Sequence, residues 1–433
     1  MNVSLRKFPD LTAKALAKEI VGAKEIYVSG CAAEITALPR LLGGAGATVT
    51  AILSPLVNTR SYADPATGRR CRSFFLNREI REHMRSGHAE LCPWSYGRIA
   101  RWLGTEVVMD AAVIMTSPPD EGGRVSLGVQ TDFLPLFRHR VGRMIAVVNP
   151  ELPFTEGPTV LPLGSFDTVF SVDQPLLSVP IDSGALDDVT RAIATHVAGL
   201  VPDGATIQLG LGKVSQAVAG LLGAHRGLSM VSGLVDDNVL RLEAVGAMRR
   251  DLPIVTGAAI GTAELYAALH RNPRFSFRPT DQTHAPRLLA DLPLFHSINS
   301  SLQVDLFGQI NSEMVNGRLI STPGGFPDFL RGAVLNPEGR SIVTVRARGG
   351  GKVAPGIVSQ LTSPASVTGT KTDVDTVVSE FGIAQVAGLS MDARAQALIA
   401  IAAPEDRDRL QATWDDYRIT GRSPAATAMD QAR

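Results

Sequence analysis

Residues 11–30 read LTAKALAKEIVGAKEIYVSG, a helix followed by a strand that stops on glycine. Thr12 stands where a helix cap belongs, apolar residues recur at helical spacing through Ala23, and EIYVSG ends on Gly30. The order repeats outward from there. ITALPRLLGGAG (35–46) reads as a helix and turn, and TVTAILSPLV (48–57) as a strand. DAAVIMTSPP (110–119) and RMIAVVNP (143–150) each read as a buried strand running into a proline-containing loop. Further on, DDVTRAIATHVAGLV (187–201) and DGATIQLGLG (203–212) repeat the opening helix, strand and glycine turn. Strands alternating with helices predict an α/β fold with mostly parallel sheets. The segment Leu176–Asp187 (LLSVPIDSGALD) marks the expected boundary, giving domains over 1–180 and 181–433.

Composition bounds the function. A chain of 433 residues is expected to hold two or three domains, and 45% hydrophobic residues supply a buried core. Lys+Arg and Asp+Glu both total 42, so net charge gives no argument for nucleic acid or an anionic membrane as partner. A neutral chain, if its apolar faces are not all internal, fits self-association. Cys31, Cys71 and Cys92 are odd in number and widely spaced, so neither a disulfide framework nor a metal site is expected. The N-terminal residues carry no apolar signal core, and no apolar run approaches the ~20 residues of a membrane span. A cytoplasmic protein with reduced cysteines is the expectation. The last residues, TGRSPAATAMDQAR (420–433), read as a loose tail.

Two segments carry chemistry. Gln208-Leu-Gly210-Leu-Gly212-Lys213 places a Gly-x-Gly turn between a strand and a helix, where backbone N–H groups can face an anion or acyl group. It lacks the third glycine of a dinucleotide fingerprint, and as a lone motif it is an ordinary tight turn. The second is denser: NSSLQVDLFGQINSE (299–313), then STPGGFPDFLRGA (321–333). Polar side chains gather there in an otherwise apolar chain, and Gly324-Gly325 lets backbone approach a ligand and aim N–H groups at one point. The bland alternative is a turn beside a structural Asn/Asp network. His296 and Cys31 read as packed residues, and no Ser-His-Asp order is visible.

These runs resemble the acetyl-CoA hydrolase/transferase family, which includes 4-hydroxybutyrate and butyrate:acetate CoA-transferases. The likeness extends over SGCAAE (29–34), FFLN (74–77), SPPDEGGRVSLG (117–128), GTAELY (261–266), FRPTD (277–281) and TDVDTVVSEFGIA (372–384). It implies two class I CoA-transferase-type α/β domains, a CoA thioester site between them, a homodimer and no permanently bound cofactor. Enzymes of the family attack the thioester with a glutamate and pass through a glutamyl-CoA thioester. By resemblance Asn299 would hold the oxyanion, Gly324 and Gly325 would line the acyl or thioester pocket, and Gly210 and Gly212 would form its other wall.

The resemblance breaks where the nucleophile belongs. The family's stretch resembling HTEM…DG reads LSMVSGLVDDN (228–238) here, and an ungapped match through Gly246 puts Gly233 at the glutamate's position. Asp236 and Asp237 lie several residues on. The family's Arg-Thr-His-Gly reads Phe154-Thr155-Glu156-Gly157, and its Ser-Arg after the turn at Gly349–Gly351 reads Ala354-Pro355. The expectation is an acyl-CoA-processing enzyme working without the glutamyl step, by hydrolysis or by C–C bond chemistry next to the thioester. Glu34, Glu156, Asp236 and Asp237 are the candidate bases. An ordinary acyl-CoA:carboxylate CoA-transferase and a non-catalytic CoA-ester-binding homologue are the alternatives.

Overall fold

Apolar runs decide where the strands fall. In chain order the main strands are β1 (Glu25–Val28), β2 (Thr48–Ala51), β3 (Arg70–Ser73), β4 (Ala89–Leu91), β5 (Ala111–Thr116), β6 (Met144–Val148), β7 (Thr168–Ser171) and β8 (Thr206–Leu209). They continue with β9 (Ser229–Val235), β10 (Ile254–Ala259), β11 (Phe275–Phe277), β12 (Phe295–Ser300), β13 (Arg340–Thr344), β14 (Thr376–Ser379) and β15 (Gly382–Gln385). The computed structural model describes residues 8–43, 46–179, 186–349, 355–361 and 364–421. Gly350, Gly351, Ala354, the inner part of the expected boundary (180–185) and the tail from 422 onward lie outside the described residues.

The fold is α/β with mostly parallel sheets, and its chain divides into two compact units. One comprises Met1–Ser183, Met230–Leu240 and Arg250–Ala285; the other comprises Gly184–Ser229, Arg241–Arg249 and Pro286–Arg433. In the first unit a parallel sheet runs in the order β4-β3-β2-β1-β5-β6-β7. Every residue of β5 (AAVIMT) and β6 (MIAVV) is buried, as strands covered on both faces require. The same unit holds β9 from Met230 onward, which pairs in parallel with β10: Val231↔Val255, Ser232↔Thr256, Leu234↔Ala258 and Val235↔Ala259. β11 pairs in parallel on the far side of β10.

Helix starts follow their caps. Thr12 accepts from Ala15 N (3.2 Å) to open Ala13–Glu19, and Asn77 accepts from Ile80 N (2.8 Å) to open Arg78–Arg85. Two expected elements are shorter than the sequence pattern implies. The helix expected within 35–46 is one turn, Leu38–Leu41, because the Arg69 guanidinium takes the carbonyls of Pro39, Leu42 and Gly43 at its end. The strand expected over 48–57 stops at Ala51, because the Ile52 carbonyl accepts from Cys31 N (2.9 Å) and Pro55 follows.

In the second unit β8, β12, β13 and β14 pair in parallel, and β15 folds back antiparallel along β14. Asp187 caps the helix Asp188–Ala198 through Thr190 N (2.9 Å). Val343, Val377, Leu398, Leu410 and Trp414 form part of one apolar cluster, and the Trp414 Nε1–H is satisfied by Asp392 Oδ1 (2.8 Å). Among the described residues no helix is long and apolar enough to cross a membrane.

Candidate functional site

In the second unit the Gly-x-Gly turn and the Asn299 motif meet because β8 and β12 are adjacent, with Leu209 opposite Ile298. Asn299 is buried near the C-terminal end of β12, and its Nδ2 donates to Gln208 Oε1 (2.8 Å) and Ser297 Oγ (2.9 Å). Gln208 Nε2 donates back to Asn299 Oδ1 (3.4 Å), so the amides form a reciprocal pair. Both hydrogens of the Asn299 amide are thus engaged by protein. Gly210 N donates to Ile298 O (2.8 Å), and a Cβ built at Gly210 would lie 2.8 Å from Asn299 Oδ1. Only glycine at 210 leaves the amide where it stands. Gly212, at the start of the helix Lys213–Leu222, has φ 110° and ψ 177°, a conformation essentially confined to glycine.

Gly324 (φ 56°) and Gly325 make the turn into the helix Phe326–Leu335, with Pro327 in its first turn. Much of the polar run before them is structural. Asp305 accepts from the backbone N–H groups of Phe307 and Gln309 and from Gln309 Nε2 (2.8 Å). Asn311 Oδ1 accepts from Glu313 N and Met314 N, and Glu313 Oε1 accepts from Thr368 Oγ1 (2.8 Å). The Asn/Asp network offered as the bland alternative is present at these three residues.

In the first unit Gly233 is a partly buried residue of β9, flanked by the pairs Ser232↔Thr256 and Leu234↔Ala258. The two carboxylates that follow are held by local bonds. Asp236 accepts from Asn238 N (3.0 Å) and Nδ2 (2.9 Å), and Asp237 accepts from Thr262 N (3.1 Å) and Thr262 Oγ1 (2.5 Å). Glu34 is buried and accepts from Asn58 Nδ2 (2.8 Å); burial pushes its carboxyl up, opposed by Asn58 and the Arg60 charge. It lines a cleft of ≈ 520 Å³ with Thr36, Arg40, Thr59 and Arg60. Glu156 is half-buried, and its backbone carbonyl accepts from Phe277 N (3.0 Å). Cys31 is buried with its thiol pushed strongly upward by burial, so it is a filler and not a thiolate. In the second unit, His296 is buried, its ring Nδ1 bonded to the Leu294 carbonyl (2.7 Å).

The sequence reading passed over Asp132, four residues beyond SPPDEGGRVSLG. It is 1% exposed, neither of its carboxylate oxygens has a hydrogen-bond partner, and burial pushes its carboxyl up to about 7. The polar run Gln130-Thr131-Asp132 amid apolar neighbours was the available signal. Gln208, partner of Asn299, was also passed over. Among the described residues no group of three or more His, Cys, Asp or Glu side chains is arranged to hold a metal ion.

Comparison with known proteins bears on both units. The pattern that defines the acetyl-CoA hydrolase/transferase N-terminal domain matches residues 45–181, and that of the C-terminal domain matches residues 261–414. The chain is 33% identical over 346 residues to a 4-hydroxybutyrate coenzyme A transferase of Clostridium kluyveri, covering 78% of this chain and 80% of that one. It is 27% identical over 367 residues to an acetyl-CoA hydrolase of Saccharomyces cerevisiae, covering 75% and 68%. Among solved structures, RipA from Yersinia pestis matches with a TM-score of 0.82 at 25% identity, over 95% of this chain and 98% of that one.

Proposed function

This chain belongs to the acetyl-CoA hydrolase/transferase family, an enzyme of the transferase or hydrolase type, and from that premise we propose that it cleaves an acyl-CoA thioester with water, without a glutamyl-CoA intermediate. One observation carries the reading. Gly233, the residue at the family nucleophile's position by resemblance, has no side chain, and the next two carboxylates along the chain are tied to Asn238 and Thr262. Covalent catalysis tolerates little misplacement, so a carboxylate three or four residues on does not substitute for one on β9. Asn299 is proposed to hold the developing oxyanion. Because both its amide hydrogens are engaged, that role requires it to hand over its bond to Ser297 or Gln208. Gly210, Gly212, Gly324 and Gly325 are proposed to line the CoA ester. A homodimer in the cytoplasm and no permanently bound cofactor belong to the same proposal.

The test is to incubate the purified chain with a panel of acyl-CoAs, with and without acetate, and to follow free CoA and newly formed acetyl-CoA. The proposal expects free CoA in both arms at similar rates. Acyl exchange that depends on acetate would favour transfer to a carboxylate, the activity named for the Clostridium kluyveri relative. Binding of CoA esters with no turnover in either arm would favour the non-catalytic reading.

A further inference from the structure

Resting on the hydrolytic reading above, we propose that Asp132 is the general base that activates the attacking water. Ser232↔Thr256 and Leu234↔Ala258 bracket Gly233 and Gly257, so these two glycines lie side by side, and a side chain on either would leave the same face of the sheet. Asp132 fills that face. A Cβ built on Gly257 would collide with Asp132 Oδ1, and Gly233 O is 3.3 Å from the same point. The carboxylate therefore stands beside the place where a side chain at 233 would project.

The backbone that carries Asp132 is fixed on both sides. The segment Val129–Asp132 runs beside β10: Ala259 N donates to Val129 O (2.9 Å), and the N–H groups of Thr131 and Asp132 both donate to Gly257 O (3.0 and 3.3 Å). Asp132 O accepts from Thr280 N (2.7 Å) and Thr280 Oγ1 (3.0 Å). The side chain alone lacks partners. Its neighbour Gln130 uses Oε1 to accept from Gly30 N (2.7 Å), while Gln130 Nε2 and Thr131 Oγ1 are also buried and unpartnered. The other buried acids of the described residues differ: Glu34, Asp305, Glu313 and Asp373 are held by Asn58, Gln309, Thr368 and Arg331, and Asp328 is engaged as well. A buried carboxylate without a partner is costly to fold, and buried polar groups of that kind call for an explanation.

Its surroundings suit a base. Burial, with the Asp132 charge adding to it, raises the Tyr27, Cys31 and Tyr96 groups and keeps all three protonated and neutral. No cation among the described residues holds its proton affinity down; the Gln130 amide alone tempers the rise, without completing a hydrogen bond. In the step, the carboxylate takes one proton from water and the water oxygen bonds to the thioester carbonyl carbon. The C–S bond then breaks, and the proton passes from Asp132 to the departing CoA sulfur. The products are carboxylic acid and CoA, and Asp132 is regenerated.

The test uses the purified full chain with acetyl-CoA and butyryl-CoA. Asp132→Asn is expected to lower kcat for CoA release at least ~100-fold, the usual span of a lost general base, with the acyl-CoA Kd changed less than about threefold. The wild-type rate should rise tenfold per pH step below about 7 and level off above it. CoA release by Asp132→Asn within about threefold of wild type would overturn the assignment and leave the hydrolytic reading intact. No CoA release by wild type on any ester overturns that reading and the assignment with it. Should Asp132→Asn fail to fold, the wild-type profile decides: a rate flat from about pH 5.5 to 8.5 excludes a base of this kind.

Discussion

Replacing Asp132 by Asn should stabilise this protein, and should do so more at higher pH. Asp132 is 1% exposed with no partner on either oxygen, and burial raises its carboxyl from the usual ~3.9 to about 7. Between those values the native chain keeps a proton that the unfolded chain has lost, so raising the pH through that window favours unfolding. The cost is absent below about pH 4, grows with pH, and is complete above about 7 at about 4 kcal/mol. Asparagine cannot ionise, so the variant lacks this slope, while other titrating groups act equally on both proteins. Between about pH 5 and about pH 8 the variant's advantage should grow by roughly 2–3 kcal/mol. Urea unfolding of both proteins at the two pH values measures it through the shift in midpoint. An advantage that is the same at both pH values, or a variant less stable than wild type at pH 8, would refute the claim that a buried unpaired charge exists there.

Three further outcomes are expected. Wild type treated with acyl-CoA and then with borohydride or hydroxylamine should keep its mass by mass spectrometry, because no carboxylate stands at 233; a CoA-derived adduct would point to Asp236 or Asp237 as nucleophile. Gly212→Ala should cost about 1–3 kcal/mol in denaturant unfolding through backbone strain alone, since open space surrounds that position. Asp237→Ala should cost about 1–3 kcal/mol by stripping Thr262 of its acceptor; an unchanged midpoint would show that those bonds add nothing.

How far the sequence could be read depended on how local each determinant is. The all-buried runs of β5 and β6 were legible because a parallel strand covered on both faces needs a continuous apolar stretch, and the caps at Thr12 and Asp187 act within three residues. The true end of β2 was not legible, because Cys31 claims the Ile52 carbonyl and Arg69 claims the carbonyls that would have continued the helix before it. The site divides the same way. Asn299 and its glycines stood out as a polar cluster, but that Asp305, Asn311 and Glu313 are occupied in turns only their bonding shows. Asp132 was marked only by the short polar run Gln130–Asp132 among 42 acidic residues, since what sets it apart is its burial against Gly257, far along the chain.

The position of Asp132 also bears on which reaction a carboxylate there could serve. A nucleophile must bring its oxygen into contact with the thioester carbon, about 3 Å away in a reactive complex. A side chain at 233 would leave the sheet on the face that Asp132 covers at Gly257, one strand to the side, and neighbouring strands are ~4.8 Å apart. On the proposed reading one water, held by hydrogen bonds of ~2.8 Å, stands between Asp132 and the thioester carbon. A carboxylate acting through water releases the acyl group as free acid, because no acyl-enzyme forms to pass it to an acceptor. A carboxylate in contact would form an anhydride with the acyl group and so permit transfer. On the proposed reading the carboxylate acts through one water instead of by contact, and that difference separates hydrolysis from CoA transfer.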